Sequence, residues 1–338
     1  MFESKIFKNE EVLFPDYLPE FLPYREEQIK EVAKNLIPAS EFRKPQNTFI
    51  FGPSGIGKTA VAKFIFREFE QYSGIKTIYI NCWDYKTSIS ILSKIAIELG
   101  AFIQRRGVGK DEIFERMIEA CKKSGRAVIV CLDEVDQVVF KDQEILYDLL
   151  RIDQYIKNPF GLIFISNTPN IFINLDQRIK SSLNLEEIEF KPYRLEEMKK
   201  ILEERIKFAF HSVEEGVALI AANHAVNLGG DVRIGLECLL KAGRLAEMKN
   251  SEKLKVEHIK EVLPSVGKFK PRLIEEWISD AERKILEIVS RKKSFFSGEL
   301  YSTYRKEVEN PVSERMFREY VNHLSSLGLI KVIERRGG

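Results

Sequence analysis

A glycine-rich segment carries the clearest chemistry in this sequence. It begins at Gly52, ends in Gly57-Lys58-Thr59 and fits the spacing GxxxxGK[ST] between an apolar run and a helical pattern. The glycines let the backbone curl so that successive N–H groups point at phosphate oxygens, and the start of the following helix reinforces such a site. Lys58 supplies a charge for the β- and γ-phosphates, and the Thr59 hydroxyl can hold Mg²⁺. The segment predicts a nucleoside-triphosphate site formed by Gly52, Pro53, Ser54, Gly55, Ile56, Gly57, Lys58, Thr59 and Ala60.

Two adjacent carboxylates end a strongly apolar run further along the chain. Ala127–Leu132 is followed directly by Asp133 and Glu134. Beside a phosphate-binding loop, Asp133 would hold Mg²⁺ directly or through water, and Glu134 would orient and polarise an attacking water. The ordinary alternative is a solvated acidic turn, which the glycine-rich segment upstream argues against. The pair therefore predicts a hydrolytic centre in which Thr59 and Asp133 bind the metal.

Three further polar residues stand where contacts to a terminal phosphate would be needed. Asn167 follows the apolar run Leu162–Ser166, and ligands of open α/β sheets bind at the ends of parallel strands. Arg178 lies in an Asp-x-Arg-x-Lys segment, and Arg233 begins a helical pattern after Gly-Gly-Asp. Each also fits an ordinary role: Asn167 as a turn former, Arg178 as a surface charge and Arg233 as a helix-cap salt bridge. The residues alone leave these alternatives open.

The elements that position these residues follow from the hydrophobic pattern. Four short runs rich in Ile, Val, Phe and Leu predict strands buried on both faces, and a weaker run predicts a fifth. Helical patterns separate the runs, which is typical of an α/β domain with a parallel sheet. From Leu195 to about Leu263 the pattern is amphipathic-helical, and the prolines and aromatics before Arg25 predict an extended arm. The predicted strands are Thr48–Phe51, Thr77–Asn81, Ala127–Leu132, Leu162–Ser166 and Glu187–Phe190.

The C-terminal part carries the pattern of a small helical module. Ser279 and Glu282 form a capping box, Ser297–Val308 is a second helical segment, and Ser313 caps a third. With the β-like run Leu329–Ile333 these elements predict a winged helix, a fold whose third helix enters the DNA major groove. A winged helix can bind protein as well as DNA, and the residues alone leave this open. The side chains that could donate to phosphates or base edges are Arg315, Arg318, Asn322 and His323 on the outer face of the third helix, and Arg335 and Arg336 where the wing would turn back.

Charge and composition exclude several classes of protein. Lys and Arg total 53 against 51 Asp and Glu, a net charge of +2, so nucleic-acid binding must rest on local patches. No run approaches the ~20 apolar residues that cross a bilayer, and the N-terminus has no apolar core of a secretory signal. The 4 cysteines lie far apart, which argues against zinc or a disulfide framework and favours a reducing cytoplasm.

The order of these motifs resembles one family. The glycine-rich segment, Leu-Asp-Glu-Val-Asp, Ile-Ser-Asn, Asp-x-Arg-x-Lys-Ser-Ser and Gly-Gly-Asp-x-Arg follow one another as in AAA+ ATPases. Among these, the chain is most similar to the archaeal origin-recognition and helicase-loading initiators, the Orc/Cdc family. Further matches are Pro15–Pro19, Leu22–Glu26, Tyr147–Arg151 and Ile188–Tyr193. The resemblance implies an N-terminal arm (1–24), an α/β P-loop AAA+ core with a parallel sheet (25–192), an α-helical lid (193–270) and a winged-helix domain (271–338).

The resemblance also implies binding of ATP or ADP with Mg²⁺ and a role for particular residues. These are Tyr24 and Arg25 against the adenine, Tyr193 from the lid side, Asn167 as the first sensor of the γ-phosphate, Arg233 as the second sensor, and Arg178 as the finger that completes a neighbour's site. One departure is that Ile234 follows Arg233, where relatives usually carry another arginine.

A helical insertion near 84–110 that touches DNA is expected by the same resemblance. Its tip carries Arg105, Arg106 and Lys110 around two glycines, which suits close approach to phosphates; without the resemblance it is an ordinary solvated turn. The implied function is an ATP-switched replication initiator with slow hydrolysis, located in the cytoplasm at the nucleoid. Its partners would be double-stranded origin DNA, the replicative helicase and sibling initiators, with neither membrane nor zinc. The alternatives are an AAA+ motor or clamp loader, and a signalling P-loop ATPase whose winged helix binds protein.

Overall fold

A computed structural model describes residues 4–104, 107–267, 279–292, 295–308, 311–326, 329–330 and 332. The chain divides into two compact units, Met1–Gly267 and Lys268–Gly338. The first holds the arm, the α/β core and the lid, and the second holds the C-terminal helices.

Five parallel strands form the sheet of the first unit, in the order β2-β3-β4-β1-β5. Ile50 at the centre of β1 lies opposite Ile165 of β4 and Ile188 of β5. Because all strands run parallel, their carboxyl ends meet at one edge of the sheet, and the predicted site residues follow those ends. The predicted parallel α/β fold is confirmed. The strands are β1 (Asn47–Phe51), β2 (Lys76–Asn81), β3 (Val128–Asp133), β4 (Phe160–Ser166) and β5 (Leu185–Glu189).

Helices cover both faces of the sheet. Successive strand side chains point to opposite faces. Ile50 and Ile163 belong to one buried cluster with side chains of α1 and α2, whereas Phe49 and Phe164 belong to a second cluster with side chains of α3 and α4. Each helix presents an apolar stripe to this core. The helices are α1 (Glu26–Ser40), α2 (Lys58–Tyr72), α3 (Ser88–Glu98), α4 (Lys110–Ser124), α5 (Asp136–Val139), α6 (Glu144–Leu150) and α7 (Gln177–Leu183).

The lid consists of α8 (Leu195–Ala209), α9 (Val217–Asn227), α10 (Val232–Met248) and α11 (Val256–Val262). Its buried side chains, such as Leu202 and Leu239, belong to the same hydrophobic cluster as Ile50 on the sheet. The lid and one face of the sheet therefore share a continuous core.

The N-terminal arm packs on the lid through backbone and side chains. The Lys8 N–H donates to the Ala209 carbonyl at 2.8 Å, and the His211 N–H donates to the Ile6 carbonyl at 3.0 Å. The buried Phe7 ring lies 5.0 Å from that of Phe210. A short 3₁₀ turn, Glu10–Leu13, precedes the prolines, so the arm is not extended throughout.

The predicted insertion is built around one described helix, α3. Thr87 caps it in a reciprocal pair with Ser90, and the backbone before α4 is irregular in the described residues 99–104 and 107–109. Arg105 and Arg106 lie outside the described residues.

The second unit contains α12 (Asp280–Arg291), α13 (Ser297–Glu307) and α14 (Glu314–Ser326). They enclose a core of Ile285, Ile288, Leu300, Tyr304, Phe317 and Leu324.

The prediction of a strand at Leu329–Ile333 is wrong for the three residues of this run that the structure describes. Leu329 and Ile330 form a bend, and residue 332 is irregular. The Leu329 N–H donates to the Leu324 carbonyl at 3.0 Å, so this N–H closes the end of α14. Residues 331 and 333, like Arg335 and Arg336, lie outside the described residues.

Among the described residues, no helix is both long and apolar enough to span a bilayer. The four cysteines are buried, free thiols. Burial raises the pKa of Cys82, Cys121 and Cys238 to about 12, which makes these thiols unreactive.

Candidate nucleotide-binding site

The phosphate-binding loop joins the end of β1 to the start of α2. Gly52 and Gly55 have φ values of 146° and 72°, which side-chain-bearing residues adopt rarely. At Gly52 a Cβ would also overlap the carbonyl oxygen of Phe190. No side chain caps α2, which begins at Lys58, so its first N–H groups are available to an anion.

Lys58 lies buried inside this loop. Its ammonium donates to the carbonyls of Gly52 at 2.7 Å and Pro53 at 2.6 Å, and to Asn167 Oδ1 at 2.9 Å. Burial lowers the pKa of Lys58, and the nearby Glu134 and Asp133 carboxylates oppose that effect. The charge is thus held at the loop by neutral acceptors that a phosphate can replace.

Asp133 and Thr59 face each other across the site. The Thr59 hydroxyl donates to Asp133 Oδ2 at 2.6 Å, and the Tyr79 hydroxyl donates to the same oxygen at 2.7 Å. Asp133 is buried, and a carboxylate beside a hydroxyl is an oxygen donor set that Mg²⁺ accepts. The structure therefore brings together the two predicted metal-binding residues, and these residues fit the ion. Sequence reasoning missed Tyr79, although its place two residues before the end of β2 was a signal.

Glu134 projects from a strained backbone position next to Asp133. Its φ is 53°, and its Oε2 accepts from Asn167 Nδ2 at 3.0 Å. Burial raises the pKa of Glu134, as do the neighbouring carboxylates of Asp133 and Asp136. Asn167 contacts both Glu134 and Lys58, so it links the acidic strand end to the phosphate loop.

The lid reaches the same loop through the start of α10. Arg233 Nη2 donates to Ser54 Oγ at 2.8 Å, and the Val232 N–H donates to the Gly55 carbonyl at 3.0 Å. Asp231 caps α10 and holds the Arg233 guanidinium through Nε and Nη2. The structure therefore places Arg233, the predicted second sensor, at the phosphate loop. Arg233 also forms the helix-cap salt bridge that the sequence left open as an alternative.

A cleft of about 680 Å³ runs from this loop between the arm and the lid. Its lining includes Tyr193 but neither Tyr24 nor Arg25. Arg25 is buried; its guanidinium donates to the carbonyls of Ile56 at 3.0 Å and Lys191 at 2.9 Å and lies 3.9 Å from the Tyr193 ring centroid. Arg25 thus braces the loop against the lid side rather than facing the cleft.

Apolar side chains of the arm and the lid line the outer part of the cleft, where a base would fit. Sequence reasoning did not assign them, because they come from segments far apart in the chain and are common in cores. They include Val12, Tyr17, Phe21, Leu22, Phe208 and Leu236.

The predicted finger, Arg178, stands apart from these residues. It is 78% exposed and is paired with Asp176, the cap residue of α7. It contacts none of the other predicted site residues in the described part of the chain, and its finger role stays a prediction.

Of the predicted DNA contacts in the insertion, the structure describes Lys110 alone. Its ammonium lies 2.7 Å from a Glu144 oxygen and 2.9 Å from an Asp148 oxygen. These ion pairs tie the start of α4 to α6, and a DNA contact by Lys110 would have to compete with them.

The outer face of α14 carries the other predicted DNA contacts. Arg315 pairs with Glu319 at 3.3 Å, Arg318 pairs with Glu314 at 2.5 Å, and all four side chains are exposed. Asn322 is also exposed. His323 is exposed as well, but its Nδ1 lies 2.6 Å from Oε1 of the buried Glu282. A DNA contact by the imidazole would have to compete with this pair.

The fold and this site define the class of protein. The AAA domain family matches residues 42–171, and the family described as the Cdc6 AAA+ ATPase-type lid domain matches residues 199–263. The protein is an AAA+ ATPase with a lid of the Cdc6 type.

Similar proteins place the chain within that class. It is 34% identical to ORC1-type DNA replication protein 1 of Archaeoglobus fulgidus, over 98% of this chain and 85% of that protein. It is 31% identical to the ORC1-type DNA replication protein of Desulfurococcus amylolyticus, over 97% and 88%. The structure of the Aeropyrum pernix ORC1 protein in complex with DNA superposes with a TM-score of 0.76 and 30% identity, over 97% of this chain and 89% of that chain. The chain belongs to the family of ORC1-type DNA replication proteins.

Proposed function

We propose that this protein is an ATP-regulated, DNA-binding replication initiator. It recognises origin duplex DNA and helps to recruit or load the replicative helicase. Slow Mg²⁺-dependent hydrolysis of ATP acts as its switch. Family membership supports the role in replication, and the Aeropyrum pernix relative, solved in complex with DNA, supports duplex DNA as the partner.

The observation that carries the switch is a chain of contacts around the place of the terminal phosphate. Lys58 contacts Asn167, Asn167 contacts Glu134, and Arg233 contacts Ser54 from the lid. A γ-phosphate is present in ATP and absent from ADP. An arginine that contacts it favours one arrangement of the lid with ATP and another with ADP.

The residues of the site divide the chemistry between them. Thr59 and Asp133 would hold Mg²⁺, which supplies charge neutralisation for the phosphates when it is bound. Glu134 orients the attacking water and draws its proton, while Asn167 holds the Glu134 carboxylate in place. Arg178 is exposed, so it could reach the nucleotide site of a second copy. Because a monomer would lack this contact in its own site, its hydrolysis would be slow.

The experiment measures binding of ATP, ADP and a duplex that carries the replication origin. Lys58→Ala should lose nucleotide binding, and Glu134→Gln should keep it while hydrolysis falls by about 100-fold or more. Lys122→Ala, an exposed lysine in the last turn of α4, is the matched control. Affinity for the duplex should differ between the ATP and ADP states of the parent and lose that difference in Lys58→Ala. Equal hydrolysis by Glu134→Gln, or equal duplex affinity in both states, would contradict the proposal.

A second candidate is an AAA+ or signalling ATPase whose winged helix binds protein. It is favoured by the outer face of α14, where Arg315 and Arg318 are paired with glutamates of the same helix. In that case duplex affinity would not depend on either arginine.

A further inference from the structure

Two Asp-x-Arg segments begin helices of the first unit with the same local geometry. At the start of α7, Asp176 Oδ1 accepts from the Arg178 N–H at 2.8 Å and from its Nε at 3.0 Å. At the start of α10, Asp231 Oδ1 accepts from the Arg233 N–H at 2.9 Å and from its Nε at 3.0 Å. In both, one carboxylate caps the helix and fixes the arginine two residues later.

The two segments differ in what surrounds them. The Asp176 and Arg178 side chains are 44% and 78% exposed, whereas those of Asp231 and Arg233 are 20% and 51% exposed. Asp231 packs directly on the phosphate loop, because a Cβ at Gly55 would overlap its carboxylate. The neighbouring Val232 N–H donates to the Gly55 carbonyl, so backbone and carboxylate both fix this end of α10 to the loop.

We propose that Asp231 is a positioning residue for nucleotide discrimination, which holds the Arg233 guanidinium at the phosphate loop before the nucleotide binds. The inference rests on the proposed role of Arg233 as the residue that distinguishes ATP from ADP. Arg233 donates to the Asp231 carboxylate through both Nε and Nη2. Its Nη2 also donates to Ser54 Oγ. The Asp231 side chain thereby fixes the orientation of the guanidinium plane.

The physical reason is conformational entropy. A free arginine side chain samples many rotamers. A ligand that orders this side chain binds more weakly, because the side chain loses conformational entropy. If Asp231 has already ordered the guanidinium, ATP gains the contact without that cost. ADP makes no such contact and gains nothing.

Charge acts on both nucleotides and must be separated from positioning. The Asp231 carboxylate lies near the phosphate loop and repels the phosphates of ATP and of ADP. Its removal strengthens binding of both nucleotides whether or not Arg233 is present. Positioning acts only through Arg233, so a double-mutant cycle isolates it.

The experiment determines dissociation constants for ADP and for a non-hydrolysable ATP analogue, both with Mg²⁺, in the full chain. The variants are Asp231→Ser, Arg233→Ala and the double variant; serine keeps the helix cap but cannot hold the guanidinium at two donors. Asp176→Ser makes the same change in the segment away from the loop. We expect Asp231→Ser to reduce the preference for the ATP analogue by about 2- to 5-fold, within the range of partly exposed charged pairs. The same substitution in the Arg233→Ala background, and Asp176→Ser in the parent, should leave the preference unchanged.

Three results would overturn the inference, and they are distinguishable. If Arg233→Ala removes the preference but Asp231→Ser keeps it, Asp231 does not position the arginine, while the role proposed for Arg233 stands. If Arg233→Ala itself keeps the preference, the proposed sensor role fails and the inference fails with it. An equal loss from Asp231→Ser in both backgrounds would show that the effect does not act through Arg233, and would also reject positioning.

Discussion

Glu134 is the residue in which backbone strain, burial and charge meet. A left-handed φ at a residue with a side chain costs roughly 1 kcal/mol or more, and this one places the carboxylate within reach of Asn167. The Glu134 N–H also donates to Asp133 Oδ1 at 2.9 Å, which holds the two carboxylates in different directions. One carboxylate therefore faces Thr59 and the other faces Asn167.

The raised pKa of Glu134 predicts the pH dependence of hydrolysis. The carboxylate must be ionised to accept a proton, so the rate should fall as the pH drops through this raised pKa. The hydrogen bond from Asn167 lowers the pKa of Glu134. Asn167→Ala should therefore shift the acidic limb of the pH–rate profile to higher pH. A steady-state ATPase profile checks this, and a limb that stays in place or moves to lower pH would refute it.

At the residue scale, the sequence predicted residues that the structure brings together at the phosphate loop, but it did not predict the contacts of Arg25. Lys58, Thr59 and Asp133 were assigned from spacing because each stands at a strand end or after a glycine turn, whereas the role of Asn167 came from the family resemblance. Arg25 was assigned to the adenine, yet its guanidinium is used by backbone carbonyls and the Tyr193 ring. Spacing indicates where a side chain begins, but tertiary packing decides which acceptors it meets.

At the scale of elements, the ends of β1, β3 and β4 bring together segments that are far apart in the sequence. The parallel direction of these strands was predictable because each run is apolar throughout, as strands covered on both faces are. The run at Leu329–Ile333 is also apolar, but the described part of it follows α14 too closely and caps that helix. A short apolar run alone does not separate a strand from a helix end.

The pairing of α12 with α14 gives a prediction about stability. Burial by itself raises the pKa of Glu282, but His323 and the capping contacts of Ser279 more than offset it and leave the pKa below its usual value. Glu282 therefore stabilises the folded state above the usual carboxyl pKa, and this contribution is lost as the pH falls through the lowered value.

Glu282→Gln should destabilise the second unit by about 1–3 kcal/mol at neutral pH, since it weakens a buried, charge-assisted hydrogen bond. The difference from the parent should shrink in acid. Chemical denaturation of the full chain at several pH values measures it. Glu287→Gln, which alters exposed pairs with Lys284 and Arg291, is the control and should change stability little. If the stability difference between the parent and Glu282→Gln grows in acid, the predicted direction of the pH dependence is wrong.

At the scale of the first unit, one hydrophobic cluster runs from the sheet through the lid to the arm, including Ile50, Leu239 and Phe7. The arm and the lid line the outer cleft, while the sheet edge carries the phosphate loop. We therefore expect a nucleotide in the cleft to contact all three parts of this core. The sequence predicted these parts separately, but their shared core depends on contacts between residues far apart in the chain.

The whole chain has a net charge of +2, and this near neutrality predicts how it binds DNA. Bulk attraction to phosphates is small, so affinity for a duplex should rest on a few local cations and depend only modestly on salt. Each phosphate contact contributes a slope of about −0.9 in log affinity against log salt concentration. Arg315→Ala with Arg318→Ala should weaken origin binding and reduce that slope by about 2.

The glutamates that pair with these arginines supply the matched control. Glu314→Gln with Glu319→Gln leaves both arginines in place and removes their partners, so duplex affinity should rise. Titrations at several salt concentrations, followed by fluorescence anisotropy, measure both pairs of variants. If affinity and slope are the same in the parent and in both variants, α14 does not face DNA. That result would favour the protein-binding alternative for the second unit, because Arg315 and Arg318 are paired with glutamates of their own helix.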